Sequence, residues 1–377
     1  MLPEAHLQTM VTKVPLELLF TDFIDEEHKT VLIPHYTEAW YDVHKRYGDL
    51  PINRLTPHLQ LFRYLMNQGE YPKLYLDWHA SIFITRDLEV PISDNDLLEQ
   101  RRIQYVTMAA LFANDKDHFN EDPILVQYNR KGGYFHVKDG HHRAIFQYCS
   151  GVRQVPARMN VRDYEEWKHT DAVNQVTEVF SRHLRTLIYT PILNPHFMHL
   201  KSERDDVYPT RMDLIMEYLG SSSVRGKRVI DIGCNIGFYA RHFTRQGAIV
   251  TGYEPMAEHY ELARQLNVLE RVHFDLKEGR FERSSLTETY DIGLLLTVFY
   301  HVMDDLPARE AFLRKLDQSV TGVLFWESGA EPEKEKAILI NGTHFDRYKK
   351  LGDTEGTGKK REFGVFLKSS YKSGSAI

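Results

Sequence analysis

"VIDIGCNIGFYA", Val229–Ala240, is the stretch on which the fold turns. "VIDI" is apolar enough to be a strand buried on both faces, and "FYARHFTRQG" beyond it reads as a helix. Between them stand Asp231, Gly233, Asn235 and Gly237, in the spacing D-x-G-x-N-x-G. Glycines there let the backbone turn tightly and approach a ligand at the end of the first strand of a doubly wound sheet. Glu254 ends the next predicted strand, "VTGYEP", 23 positions after Asp231. A carboxylate so placed accepts both hydroxyls of a ribose. The spacing differs from G-x-G-x-x-G and leaves little room for the pyrophosphate turn of a nicotinamide dinucleotide.

Outward from this motif, Tyr208–Lys368 alternates predicted strands and helices. "TRMDLIMEYLG" precedes the motif as a helix. "AEHYELARQLN" (helix), "RVHFDL" and "YDIGLLLTV" (strands), "PAREAFLRKLDQ" (helix), "GVLFWES" and "REFGVFLKS" (strands) follow. Val-, Ile-, Leu- and Phe-rich strands each followed by an amphipathic helix predict an α/β domain with a mainly parallel sheet, covered on both faces.

These residues resemble the class I S-adenosylmethionine-dependent methyltransferases, a Rossmann-like family, over roughly residues 205–370. The resemblance implies S-adenosyl-L-methionine as cofactor. It puts Gly233, Asn235 and Gly237 along the methionine portion, Asp231 at the opening of the loop and Glu254 on the ribose. Asn235 stands where the middle glycine is usual. "EGRFE", Glu278–Glu282, follows the third strand, where the family builds its adenine pocket, and Arg280 and Phe281 are the candidates there. Thr297, in "LLLTVFYHV" at the end of the fourth strand, is a further cofactor candidate. His301, just beyond, has an ordinary pKa near neutrality and is a candidate general base for a substrate hydroxyl. A histidine that only braces the loop is the bland alternative, since methyl transfer needs positioning more than a strong base.

"KDGHHRA", Lys138–Ala144, sits after the strand-like "GYFHV" and concentrates polar chemistry around Gly140. A helix starting near His141 would present free N–H groups and a partial positive end; with His141, His142 and Arg143 it would suit a phosphate. Asp139 would then hold a cation or orient a hydroxyl. The run "DPILVQYNRKGGYFHVKDGHHRAIFQYCSGVRQVPARM" resembles the ParB/sulfiredoxin-like fold, over residues 85–160. That resemblance implies a smaller α+β domain handling ATP or another nucleotide with Mg²⁺, in the manner of its free-serine kinases. Cys149 lies down the helix and not in the turn, so sulfiredoxin activity is not expected. A purely structural domain and a His–His metal site remain alternatives. Adjacent histidines diverge by about 100° on a helix, and no metal ligands are assigned.

The chain of 377 residues divides by this reading into a helical N-terminal region (1–84), the ParB/sulfiredoxin-like domain (85–160), a helical linker (161–204) and the methyltransferase domain (205–370). Within the first, "HYTEAWYDVHKRYG" and "LTPHLQLFRYLMNQG" read as helices; "LEVPI" reads as a strand, and the two prolines of "YTPILNPHF" mark a linker. A net charge of −6 argues against a dedicated nucleic-acid binder, and Cys149 and Cys234 alone cannot make a disulfide scaffold. With no basic, long-apolar N-terminus and no run near 20 apolar residues, neither a signal peptide nor a membrane span is expected, and a cytoplasmic location is the default.

The function these features predict is S-adenosylmethionine-dependent O-methylation of a glycan or other small-molecule acceptor, at a hydroxyl or phosphate. The amide-binding "NPPY" type of signature is absent after the fourth strand. "LLLTVFYHV" and "VLFWESG" look similar to the bifunctional methyltransferase–kinases that terminate bacterial O-antigen polysaccharides, whose second domain is of another type. The rival reading is a nucleotide-sensing or scaffold protein whose methyltransferase fold binds cofactor without turnover.

Overall fold

In "TMVTKVP" alternate residues turn inward, and Thr9–Pro15 (β1) is accordingly a strand, with Val14 buried and Val11 exposed. The computed structural model describes residues 8–21, 50–84, 89–115, 118–183, 187–204, 209–219, 224–285, 288–356 and 358–369. It separates into two compact units, Met1–Arg130 with Tyr134–Glu166, and Lys131–Gly133 with Trp167–Ile377.

The first unit contains a mixed six-stranded sheet. After β1 come Leu19–Thr21 (β2), Leu50–Pro51 (β3), Ile124–Asn129 (β4), Tyr134–Asp139 (β5) and Gln154–Asn160 (β6). Their order is β1-β6-β4-β5-β2-β3, with β4/β6 and β2/β5 parallel and the other pairs antiparallel. Helices Thr56–Leu65 (α1), Lys73–Ile84 (α2), Asp94–Asn114 (α3) and His141–Cys149 (α4) complete it. Leu61, Tyr75, Leu76, Leu97 and Leu98 form a buried cluster among α1, α2 and α3.

Two expectations need correcting here. Residues 1–84 are not simply helical, because β1, β2 and β3 belong to the sheet. β1 was hard to see because it is half-exposed and pairs with β6, a partner about 145 residues away that no local pattern reveals. Glu89–Ile92 of the expected strand "LEVPI" forms no strand, Pro91 lacking the N–H a ladder requires; Leu88 and the helix expected over 35–48 lie outside the described residues.

The second unit opens with Val161–Lys168 (α5), whose final two residues belong to it, and Thr170–His183 (α6). The expected linker is packed structure. Ile192 and Phe197 from "YTPILNPHF" join Val173, Val176, Leu262 and Leu266 in one buried cluster. Asn194 fixes the turn by donating to the carbonyls of Trp167 (3.1 Å) and Lys168 (3.2 Å). Leu187–Ile188 (β7) and Lys201–Ser202 (β8) make a small parallel pair, and Arg211–Leu219 (α7) leads to the main sheet.

That sheet runs Arg228–Ile232 (β9), Phe238–Arg245 (α8), Ile249–Glu254 (β10), Ala257–Leu269 (α9), Asp275–Glu278 (β11), Tyr290–Leu296 (β12), Leu306–Ser319 (α10), Val320–Glu327 (β13), Pro332–Gly342 (α11), Arg347–Gly356 (β14) and Lys359–Leu367 (β15). The order is β11-β10-β9-β12-β13-β15-β14. β11 to β13 are parallel, and β15 and β14 join antiparallel at one edge. Strand order reverses between β9 and β12, which opens a crevice beyond their carboxyl ends where open α/β sheets bind ligands. The core beneath includes Ile230, Leu295, Phe299, Phe312, Leu324 and Trp326.

Candidate active site

The loop after β9 needs three left-handed residues, Gly233 (φ 71°), Asn235 (φ 50°) and Gly237 (φ 78°). Asparagine is the side chain that best tolerates that region, which explains why Asn235 can replace a glycine. A Cβ on Gly233 would lie 2.6 Å from Val298, and one on Gly237 2.8 Å from Phe274, so neither position has room for a side chain. Cys234 N–H donates to the Tyr253 carbonyl at 2.9 Å and ties the loop to β10.

Glu254, at the end of β10, is 4% exposed. Its two oxygens accept from the backbone N–H groups of Asn235 (2.8 Å) and Met256 (2.9 Å). His259 Nδ1 lies 3.0 Å from Asn235 Nδ2 and 3.7 Å from Glu254. Nothing in the sequence pattern singled out His259, which enters from α9. Asp231 is 2% exposed, and its Oδ2 has no hydrogen-bond partner. Burial pushes its carboxyl up to about 7; Arg211 opposes that rise and Glu254 adds to it.

Thr297, past the end of β12, has φ 58°, a real departure for a β-branched residue. Its N–H donates to the Glu327 carbonyl at 3.2 Å and its hydroxyl to the Glu327 carboxylate. Glu327 is fully buried. Arg204 (3.7 Å), Arg211 (3.4 Å) and the Thr354 hydroxyl also meet its carboxylate. Arg211 lies over Tyr239 and Tyr189, at 5.0 and 5.4 Å from their ring centres. This cluster was invisible in the sequence because Arg211 and Glu327 are 116 positions apart. Buried arginine with buried glutamate is the one signal it carries, and burial has to be known first.

Of the adenine-pocket candidates, Arg280 is half-exposed and pairs with Glu282 at 3.6 Å. Phe281 is 3% exposed and packs against Tyr253, Phe312 and the Lys315 ammonium. His301 is exposed at the end of a short 3₁₀ turn and stacks on Tyr300, ring centres 3.9 Å apart. Burial first, then the charge of Arg280, holds its pKa below the usual 6.5, so the imidazole is neutral and proton-accepting at pH 7.

In the first unit, "KDGHHRA" takes the expected strand–turn–helix path, with Gly140 (φ 95°) capping α4. The expected cationic cluster does not form. Arg143 pairs with Asp139 at 2.9 Å, donates to the Asp122 carbonyl at 2.7 Å and also meets the Asp122 carboxylate. His141 bonds Thr21 Oγ1 at 2.7 Å and His142 bonds the Tyr75 hydroxyl at 2.8 Å. Burial drives His141 down to about 4 and His142 to about 3, so both are neutral. Arg101 Nε, which can only donate, reaches the same Tyr75 oxygen at 2.6 Å. Tyr75 thereby bridges Arg101 and His142, and its own hydroxyl proton is available to His142 Nε2. The His58 ring lies tilted against His142, ring centres 4.7 Å apart, and burial likewise lowers its pKa well below 6.5. Burial pushes the Cys149 thiol up to about 12. No group of metal-ligating side chains occurs among the described residues, nor any helix long and apolar enough to cross a membrane.

Residues 230–321 match the methyltransferase domain family. A ubiquinone biosynthesis O-methyltransferase of Vibrio cholerae serotype O1 is 30% identical over 152 residues, 37% of this chain and 60% of that protein. The enzyme of the same name from Vibrio campbellii is 29% identical over 155 residues, 37% of this chain and 63% of its own. The chain thus spans about three fifths of the length of the curated relatives it matches. Among solved structures, the bifunctional kinase-methyltransferase WbdD superposes with a TM-score of 0.41 at 22% identity, over 51% of this chain and 46% of that one. The second unit carries a class I methyltransferase domain of Rossmann-like α/β fold.

Proposed function

We propose that the protein is an S-adenosylmethionine-dependent O-methyltransferase acting on a small-molecule or glycan acceptor. The observation that carries this reading is the pairing of Glu254 with the Gly233–Gly237 loop at the switch point of the sheet. The residues present suit the cofactor. Gly233 and Gly237 hold the loop in left-handed turns tight against Val298 and Phe274, and Asp231 offers a buried carboxylate oxygen with no partner. Glu254 would take the ribose hydroxyls, Gly233, Asn235 and Gly237 would lie along the chain, and Thr297 would border it from β12. Phe281 and Arg280 would border the adenine, the first from the core and the second from the half-exposed side.

The cofactor supplies an electrophilic methyl group. The protein's own contribution is to orient the acceptor oxygen and, where that oxygen is a hydroxyl, to accept its proton. His301, in the turn after β12, would accept that proton, its pKa being held below 6.5 by burial and by Arg280. For the first unit, nucleotide binding at Asp139, Gly140, His141, His142 and Arg143 has narrower support: the start of α4 behind Gly140 remains, but Arg143 is already compensated by two carboxylates. The test is calorimetric titration of the full chain with S-adenosylhomocysteine and, separately, ATP with Mg²⁺. Micromolar binding of the first is expected. No binding of it sinks the methyltransferase reading, and no ATP binding at millimolar concentration sinks the nucleotide one.

A further inference from the structure

Arg361 lies on β15, and the antiparallel direction of that strand carries it past the carboxyl end of β13, where Glu327 pairs with Phe363. It is held there by backbone alone: Nη1 donates to the carbonyls of Ser328 (3.0 Å) and Gly329 (2.5 Å). Its Nε is buried without a hydrogen-bond partner, and no carboxylate among the described residues comes within ion-pair distance. A half-buried guanidinium so arranged has lost part of its hydration without gaining a counter-charge.

Its surroundings place it beside the reacting end of the crevice. Gly329 has no Cβ because the Tyr300 ring occupies that space, with Cδ1 at 2.5 Å from where one would stand. The ring of His301 lies against that of Tyr300, centres 3.9 Å apart. Arg361 is also the leading charge opposing the burial-driven rise of the Tyr300 hydroxyl. Glu335, the acid facing Tyr300, is engaged by the Gly329 N–H at 2.8 Å. Arg361 stands three strands from β9, roughly 14 Å at ordinary strand spacing, so it is well removed from the glycine loop and Glu254. The other arginines near the crevice, Arg204 and Arg211, share Glu327, and Arg280 has Glu282.

We propose that Arg361 determines acceptor specificity by binding an anionic oxygen group, a phosphate or a carboxylate, on the methyl acceptor. This rests on the methyltransferase reading above. With Nη1 held by two carbonyls and Nε enclosed, Nη2 is the N–H group left to meet such an anion, through a charge-assisted hydrogen bond from a guanidinium whose orientation is already fixed.

The test uses the full chain saturated with S-adenosylhomocysteine and titrated with phenyl phosphate, benzoate and phenol, for the wild type, Arg361→Met and Arg361→Lys. In the wild type, phenyl phosphate or benzoate should bind at least tenfold more tightly than phenol, and which of the two binds identifies the group read. Arg361→Met should erase that preference and Arg361→Lys should keep part of it, with S-adenosylhomocysteine affinity unchanged in both. Equal binding of phenol by the wild type, or a preference surviving in Arg361→Met, overturns the proposal. Loss of S-adenosylhomocysteine affinity with charged-probe binding intact also overturns it, because Arg361 would then serve the cofactor. If Arg361→Met does not fold, Arg361→Lys decides alone, and wild-type affinity for the charged probe in that variant overturns the assignment to the Arg361 guanidinium. A wild type that binds no S-adenosylhomocysteine removes the reading beneath the proposal, and the proposal with it.

Discussion

Replacing Glu254 with alanine should separate the two duties of one carboxylate. A carboxylate offers about four lone-pair sites. Two are used by the N–H groups of Asn235 and Met256, which leaves two for a pair of ribose hydroxyls. Charge-assisted bonds of that kind contribute on the order of 1.5–3 kcal/mol each, so the pair amounts to about 3–6 kcal/mol. At about 1.4 kcal/mol per decade, Glu254→Ala should weaken S-adenosylhomocysteine binding by roughly 10² to 10⁴-fold. It should also lower stability, because two backbone donors beside a side chain only 4% exposed lose their acceptor. Glu254→Gln keeps one acceptor oxygen but sets an NH₂ against one of those N–H groups, and should fall between. The assay is calorimetry on the full chain, with thermal unfolding run alongside to show that each variant is folded. A folded Glu254→Ala whose affinity stays within about threefold of wild type refutes the ribose assignment and the argument from the end of β10.

If His301 is the base, His301→Gln should reduce turnover by about 10²–10⁴-fold. The acid limb of the wild-type kcat/KM profile should lie below pH 6.5, the direction in which its pKa is shifted, and vanish in the variant; a loss under tenfold leaves it a bracing residue. Asp231, raised from 3.8 to about 7, binds more protons folded than unfolded between those values. Its contribution to stability is therefore fully present below about pH 3.8 and lost as pH rises toward 7, and Asp231→Asn should flatten the Tm-against-pH curve over that window; an unchanged slope counts against the burial argument. Tyr75→Phe removes the hydroxyl that joins Arg101 to His142. Leaving those two polar groups unpaired should cost about 1–3 kcal/mol each, so a Tm within a degree of wild type would show the bridge to be dispensable.

What could be read from sequence was whatever lies close together along the chain. The β9 strand, its turn, the helix after it and Glu254 fall within one short window, and every piece is where its pattern put it. "RVHFDL" misled for a local reason too. Arg271 (φ 54°) and Val272 close α9, their N–H groups returning to the carbonyls of Val268 and Asn267, and Val272 is buried as the apolar end of that cap. The strand then starts only at Asp275. The polar chemistry of "KDGHHRA" was visible, but its direction was not, since the partners Thr21, Tyr75 and Asp122 come from other parts of the chain. The Arg204–Arg211–Glu327 cluster failed for the same reason, because charges read as surface until the fold buries them.

The reversed direction of β15 has a consequence for how this domain can change. In the parallel strands β9, β12 and β13, residues near the ligand are those leaving the strand, and each is followed by connections that the core depends on. In β15 they are the residues entering it, and Lys359, where that strand begins, stands four residues, roughly 13 Å, from the pairing of Phe363 with the last residue of β13. The tip is tied to the parallel frame at two positions, Gly356, which leaves no room for a side chain beside Arg204, and Arg361, which holds the Ser328 and Gly329 carbonyls. A hairpin exchanged in between them, with those two residues kept, should alter which acceptor is taken while the glycine loop and Glu254 continue to serve the same cofactor.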